Sequence, residues 1–264
     1  MTKTIKDTKA YSLLFNRKSF FLEKVDKIYD YAVNLLPKIN RVFSNYTGHD
    51  TLHSLNVADY MYDICDFPDQ LSDLELVVIL YAALLHDIGM VVSEQEIENI
   101  KKEQSNITDR KYSLVLQKYK DETIALQECI RPIHGKRSLK HILKMDNEFF
   151  ILPGYTNISF KDDVAKICAA HNENFEWITS NLSLDQIKGN WTLNSQYIAL
   201  LLRIADYLDI DEERAPLYLY QYLSPKDYGD LEWKQHFVIE NKDKIVVDPK
   251  TGRKNIEFYG ESSN

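Results

Sequence analysis

The sequence predicts a mainly α protein, a helical bundle with a small β extension at its C-terminal end. Three observations carry this expectation. Apolar residues recur three and four apart through most of residues 19–210, the spacing of one buried helix face. Ser72 and Ser93 are each followed three residues later by a glutamate, Glu75 and Glu96, the pattern of a capping box at a helix start. After Pro216 the periodicity gives way to short β-type runs separated by the turn signals "NKDK" and "DPKTG", which read as two or three antiparallel strands.

The elements follow in order. "SFFLEKVDKIYDYAVNLLPKI", "DTLHSLNVADYMYDI", "SDLELVVILYAALLHDI", "DETIALQECI", "KRSLKHILKM", "KDDVAKICAAH" and "NSQYIALLLRIADYLDI" each read as a helix. Two polar interruptions, 104–120 and 146–160, read as long loops, which in compact domains commonly serve as lids or binding segments. "KQHFVIENKDKIVVDPKTGRKNIEFYG" carries the strands, so residues 1–215 are expected to form the helical domain and 216–264 a β-rich extension. So few strands need support, from the helical domain or from a continuation of the chain.

Composition narrows the class. The 264 residues are 44% apolar and 27% charged, enough for one large domain with a real core. No apolar run approaches the roughly 20 residues that span a bilayer, and "MTKTIKDTKAYSLLF" lacks the apolar middle of a secretory signal. The expectation is a cytoplasmic protein with no membrane partner. Cys65, Cys129 and Cys168 are odd in number and form no CxxC pair, so they read as buried small hydrophobes. A net charge of -8 excludes strong general binding to duplex nucleic acid or an anionic membrane.

The chemistry lies in "LYAALLHDIGMVV", where His86 and Asp87 stand side by side in an apolar run. A carboxylate taken out of water costs several kcal/mol, so a compensating charge is needed. The same oddity recurs. Asp206 sits in "YIALLLRIADYLDI", His171 closes "VAKICAAH", His53 leads the helix of "YTGHDTLHSLNVADYM" with His49 a turn earlier, and His134 falls in the first turn of a helix begun by Pro132. Histidine and aspartate together hold divalent metals, and a cation bound between helices would tie a bundle around it.

The order His53, then His86-Asp87, then Asp206, with "HSLNVA", "LLHDIG" and "RIADYLD" around them, resembles the H...HD...D signature of the HD-domain superfamily of metal-dependent phosphohydrolases. "YTGHDTLH" and "LLRIADYLDIDEERAP" are similar to its HD-CE subgroup, which in many bacterial proteins stands ahead of a GHKL-type ATPase domain. The resemblance covers roughly residues 40 to 215. It implies that His53, His86, Asp87 and Asp206 hold a first divalent ion, that Asp87 bridges to a second, and that His134 and His171 serve the second. Manganese, iron, nickel, cobalt, zinc and magnesium all remain open as the metal. Asp87 is the expected catalytic centre, Arg131, Lys136, Arg137 and Arg203 are the nearest cations for a substrate phosphate, and Asn172 is placed to donate a supporting hydrogen bond.

Plainer readings stand beside these. His134 and His171 fit substrate phosphate alone, His49 fits a helix-start residue, and His141 fits an ordinary amphipathic-helix histidine. His236 reads as surface, Arg203 as an intrahelical partner of Asp206 or Tyr207, and "EQEIENIKKEQ" and "DIDEERAP" as solvated helix faces or ends. The leading expectation is hydrolysis of a phosphoester or phosphoanhydride in a nucleotide or related small molecule. A single-strand nuclease and a nucleotide- or metal-sensing module controlling an attached or partner ATPase are the competing ones. The chain reads as either a fragment or a short stand-alone member, with a homo-oligomer open.

Overall fold

The computed structural model describes residues 3–104, 108–210, 214–225, 227–239, 241 and 243–260. It is mainly α. In chain order the helices are α1 (Lys9–Asn16), α2 (Leu22–Leu35), α3 (Thr51–Ile64), α4 (Asp73–Leu85), α5 (Glu94–Lys101), α6 (Tyr112–Tyr119), α7 (Glu122–Ile130), α8 (His134–Lys144), α9 (Lys161–Ala170) and α10 (Phe175–Asn181). A hairpin, β1 (Gln186–Lys188) and β2 (Trp191–Leu193), precedes α11 (Ser195–Leu208), and the chain ends with α12 (Leu217–Leu223), α13 (Asp227–Val238), β3 (Ile245–Val247) and β4 (Lys254–Ile256). Both strand pairs are antiparallel.

Helix α4 is the axis of the bundle. Every residue from Leu74 to Leu85 is buried, as expected of a helix that is apolar all round, and α1, α2, α3, α9 and α11 pack on it. Each buried Leu, Val or Ile contributes about 1.5–3 kcal/mol. Its start is secured by the capping box of Ser72 and Glu75. Both residues also hold the β1–β2 hairpin, since Ser72 Oγ donates to Thr192 O at 2.7 Å and Asn194 N–H donates to Glu75 Oε1 at 3.0 Å. The same box at Ser93 and Glu96 opens α5.

The end of α4 is where the fold meets the site. The helix stops at His86, and Asp87 takes φ -94° and ψ 1°, the sparsely populated bridge region. The next turn is pressed against α8. A Cβ on Gly89 would lie 2.0 Å from His134 O and 2.5 Å from Ser138 N, while Ser138 Oγ accepts from Gly89 N–H at 2.9 Å and donates to His86 O. Gly89→Ala should therefore cost at least about 2 kcal/mol, read as a lowered midpoint of thermal unfolding. An unchanged midpoint would mean that α8 is free to move away.

Several expectations are corrected here. Residues 112–119 of the expected 104–120 loop form α6, while residues 105–107 lie outside those described. The 146–160 segment is a strap fastened to the core, not a lid: Phe150 and Phe160 are buried and pack edge-on against Tyr81. "KQHFV" is the end of α13 and not a strand, and α12 also stands where β structure was expected. Gly229, Trp233 and His236 are all buried, an i, i+4, i+7 stripe on one helix face. His236 is accordingly buried, not on the surface. The two C-terminal strands stand as expected, and of the charged run after α11, residues 211–213 lie outside those described.

All three cysteines are buried and free. Among the described residues no single helix is long and apolar enough to cross a membrane.

Candidate metal centre

Helices α3, α4, α8, α9 and α11 deliver the site. His53 comes from the first turn of α3, where the Asp50 carboxylate accepts from the N–H groups of Leu52 and His53. His86 and Asp87 directly follow the last residue of α4, His134 begins α8, His171 follows the last residue of α9, and Asp206 lies in the last turns of α11. Helices α8 and α9 are joined beside the site, because Gly135 N–H donates to Asn172 Oδ1 at 2.8 Å. Asn172 thus supports the site as an acceptor, where a donor was expected.

Each histidine is held by its Nδ1. His86 Nδ1 faces Ala83 O at 2.9 Å, His134 Nδ1 faces Arg131 O at 2.6 Å, His171 Nδ1 faces Cys168 O at 2.5 Å, and His53 Nδ1 faces Asp209 Oδ2 at 2.6 Å. Carbonyls and carboxylates accept only, so each Nδ1 carries a hydrogen, and Nε2 is the nitrogen that offers a lone pair whenever the ring is neutral. Those nitrogens converge, with His53 and His86 Nε2 3.3 Å apart and His134 and His171 Nε2 2.7 Å apart.

The carboxylates complete two triads, His53–His86–Asp206 and Asp87–His134–His171, whose donor atoms within each triad lie within 4.8 Å of one another. Asp206 Oδ1 is 3.4 Å from His53 Nε2 and 3.7 Å from His86 Nε2. Asp87 reaches both triads. Its Oδ1 is 3.2 Å from His134 Nε2 and 4.0 Å from His171 Nε2, while its Oδ2 is 3.2 Å from His86 Nε2 and 3.7 Å from His53 Nε2. The two triads and the bridging carboxylate fit a pair of divalent cations, for converging lone pairs and carboxylates repel one another unless positive charge stands between them. All these groups are deeply buried except His134 and Asp206, whose side chains are 12% and 30% exposed, so the centre opens on that side.

Electrostatics agree with this. Burial opposes charge on His86, yet Asp87 and Asp206 outweigh it and hold its imidazolium well above the usual range. Burial and the Arg214 charge oppose a proton on His53, and Asp206 and Asp209 overcome them. Burial would raise Asp87, but the His86 charge, with His134 and His86 close against its two oxygens, holds it well below the usual carboxylate range. Asp206 is lowered likewise, by His53 and His86 against burial. The two carboxylates thus raise the proton affinity of His53 and His86, the same attraction that would favour a cation at this place. Burial, aided by His134 and His86, pushes His171 down to about 3, which keeps its Nε2 a neutral donor.

The other sequence candidates fall into place around the centre. His49 precedes the cap of α3 and is not on its face; its Nδ1 donates to Thr47 O at 2.7 Å and its Nε2 lies 4.0 Å from Asp87 Oδ2. Arg203 donates to Ala170 O at 3.1 Å, at the end of α9. Arg131 lies 3.5 Å from Glu128 Oε1, and the largely exposed Lys136 pairs with Glu173 at 3.4 Å. Arg137, expected beside a substrate phosphate, is instead engaged within the fold: its buried guanidinium donates to Gly89 O at 2.6 Å and Val91 O at 2.9 Å and pairs with Glu96, so it clamps the turn after the doublet. His141 shares a hydrogen bond with the Tyr31 hydroxyl at 2.8 Å.

Sequence reasoning missed Asp209. Besides holding His53, it accepts from Asn56 Nδ2 at 3.1 Å and lies 3.8 Å from Arg214 Nη1. Such carboxylate–histidine pairs fix the ring and raise its basicity toward a metal. The signal was present as a second aspartate three residues after Asp206. A cleft of about 330 Å³ lined by Lys3, Gly48, Asn56, Asp209 and Arg214 lies on this side of His53.

A helical bundle with two His/Asp triads at its centre, and Asp87 facing both, is a protein whose buried side chains could hold a metal ion between helices. The HD-CE family model matches residues 43–263, and the chain belongs to that HD-domain family. No curated protein and no solved structure matches it.

Proposed function

We propose that this protein is a metal-dependent phosphohydrolase that cleaves a phosphoester or phosphoanhydride bond of a nucleotide or a related small molecule. The observation that supports this most is Asp87, whose two oxygens face different triads. A carboxylate so placed suits two neighbouring cations, the arrangement used for displacement at phosphorus. Bound there, such a pair supplies Lewis acidity, which activates water and neutralises charge on phosphoryl oxygens.

The remaining work falls to this chain's own groups. Backbone carbonyls and Asp209 keep the imidazoles in one tautomer, so the centre needs little rearrangement on binding substrate. Arg203, one turn before Asp206 in α11, and Arg131, just past the end of α7 and before His134, are the cations suited to a substrate phosphate. The acidic chain favours a compact phosphate over a long nucleic acid.

The test begins with metal content of the purified protein and continues with a panel of nucleotides and phosphoesters in that metal. Two equivalents and release of phosphate or nucleoside product are expected. At a hundredfold excess over Kd, each filled site should add about 2.7 kcal/mol, roughly 5–10 °C in melting temperature for a chain of this size. Because Asp206, Asp209 and Asp87 raise the affinity of His53 and His86 for a proton, metal competes with protons for these rings. Affinity should therefore weaken as pH falls, with proton release visible by calorimetry in buffers of different ionisation enthalpy. Two bound equivalents with no product from any phosphate would leave a metal-holding regulatory module.

A further inference from the structure

Beside the turn that follows Asp87 lies a second polar cleft, of about 150 Å³. It is lined by Ile88 and Gly89 of that turn and by Arg137, Lys140, His141 and Lys144 of α8. The carboxylate among its lining residues is Glu96, which already pairs with Arg137 at 3.3 Å. A wider groove of about 800 Å³ shares Val91, Glu96 and His141 with this cleft. The groove adds Lys38 and the apolar Leu35, Pro37 and Val92, together with Arg41, which pairs with Glu94 at 2.6 Å. No residue of either metal triad lines either space.

Cations are in excess here, in a chain whose net charge is -8. Lys38, Lys140 and Lys144 are exposed and have no ion-pair partner among the described residues. Arg137 differs from them, for its side chain is nine-tenths buried. Of its five N–H groups, one donates to Gly89 O, one to Val91 O, and two share a single Glu96 oxygen at 3.3 Å. The fifth, on Nη1, has no acceptor among the described residues. His141 Nδ1 has no partner among them either, since the Tyr31 hydroxyl engages Nε2 at 2.8 Å. A buried donor left unpaired is costly, and these two border a cleft that an acceptor could fill. Burial and the Arg137 charge, with Lys144 behind them, lower His141 despite Glu96, so the field in the cleft is positive.

We propose that this cleft binds the phosphate of a phosphorylated small molecule whose organic part lies along the adjoining groove. A phosphate brings the several acceptors that Arg137 and the two lysines of α8 call for, and it suits an arginine set beside lysines. The groove falls within the roughly 300–1,000 Å³ of small-molecule sites, and Leu35, Pro37 and Val92 give it apolar lining. Because no metal-facing group lines the cleft, the phosphate is held there and not cleaved. Arg137 also donates to Gly89 O, two residues past Asp87, so the ligand bears on the turn next to the metal centre. That is the place of a regulatory ligand, whatever bond the centre itself cleaves.

Phenylphosphonate, a phosphate mimic that resists hydrolysis, and inorganic phosphate are the probes, titrated by calorimetry into the full chain. Asp87→Ala is the background, because it disables the metal centre as a rival site for an anion. The parent chain held in a chelator gives the same comparison without that substitution. One equivalent of phenylphosphonate should bind saturably in both, more tightly than inorganic phosphate. Adding Lys140→Gln and Lys144→Gln, at exposed positions, should weaken binding by at least about tenfold, with helical content unchanged by circular dichroism. Arg203→Gln, beside the metal centre, should alter it by less than about twofold. No saturable binding, or a lysine-pair variant that binds like its background, would overturn the site. A loss on Arg203→Gln in place of the lysines would put the probe at the metal centre and overturn it equally. Equal affinity for the two probes would overturn the organic part of the ligand.

Discussion

Asp87→Ala should empty both metal positions at once and reduce hydrolysis to the background rate. Its two oxygens are divided between the triads, Oδ1 toward His134 and His171 and Oδ2 toward His86 and His53. A single truncation therefore takes one ligand from each ion and removes the charge that bridges them. The contrast is His171→Ala, which touches the Asp87–His134–His171 triad alone and should leave one equivalent. Folding should survive in both. Removing Asp87 also removes the main reason for His86 to hold a proton, so a neutral imidazole is left and not an orphaned buried charge. Elemental analysis beside far-ultraviolet circular dichroism reads this directly. One equivalent retained in Asp87→Ala, with helical content intact, would show that the triads are independent and that Asp87 does not bridge.

Asp209→Ala should weaken one metal position by about 10–100-fold and leave the other untouched. Asp209 touches no metal-facing atom; it holds His53 through Nδ1, and its other oxygen is held by Asn56. Without it the ring loses both its fixed tautomer and the charge that makes Nε2 a strong donor. The two-site titration of the parent should split into one tight and one weak phase. Asp209→Asn, which can still accept a hydrogen bond from His53, should fall between the two. If both variants titrate like the parent, the His53–Asp209 pair is structural only.

Much of this was legible before any coordinates. The apolar frame of "LYAALLHDIGMVV" leaves no room for a solvated carboxylate, and α4 is indeed buried on every side up to the doublet. Ser72 and Ser93 mark helix starts by local hydrogen bonding that needs no distant partner. Arg137 shows the limit of sequence proximity. Three residues from His134, it reads as a ligand for a phosphate at the metals, yet its guanidinium is held by carbonyls of the turn after α4. His236 and Phe237, in "KQHFV", read equally well as strand residues, because aromatic content favours β structure wherever packing does not decide otherwise. Packing decided: Trp233 is buried with its N–H on Asn45, and the segment is helical.

The sequence by itself determined the helical class, the buried position of His86 and Asp87, and the residue types able to hold metal, since each follows from local periodicity and the cost of burying charge. Only the tertiary structure decided that the ligands divide into two triads shared by Asp87, that Asp209 across 156 residues orients His53, and that α13 returns Trp233 to the loop before α3. Local propensity extends over a few turns of chain. Which carboxylate meets which imidazole depends on how whole helices pack, and that is settled by burying the core as a unit.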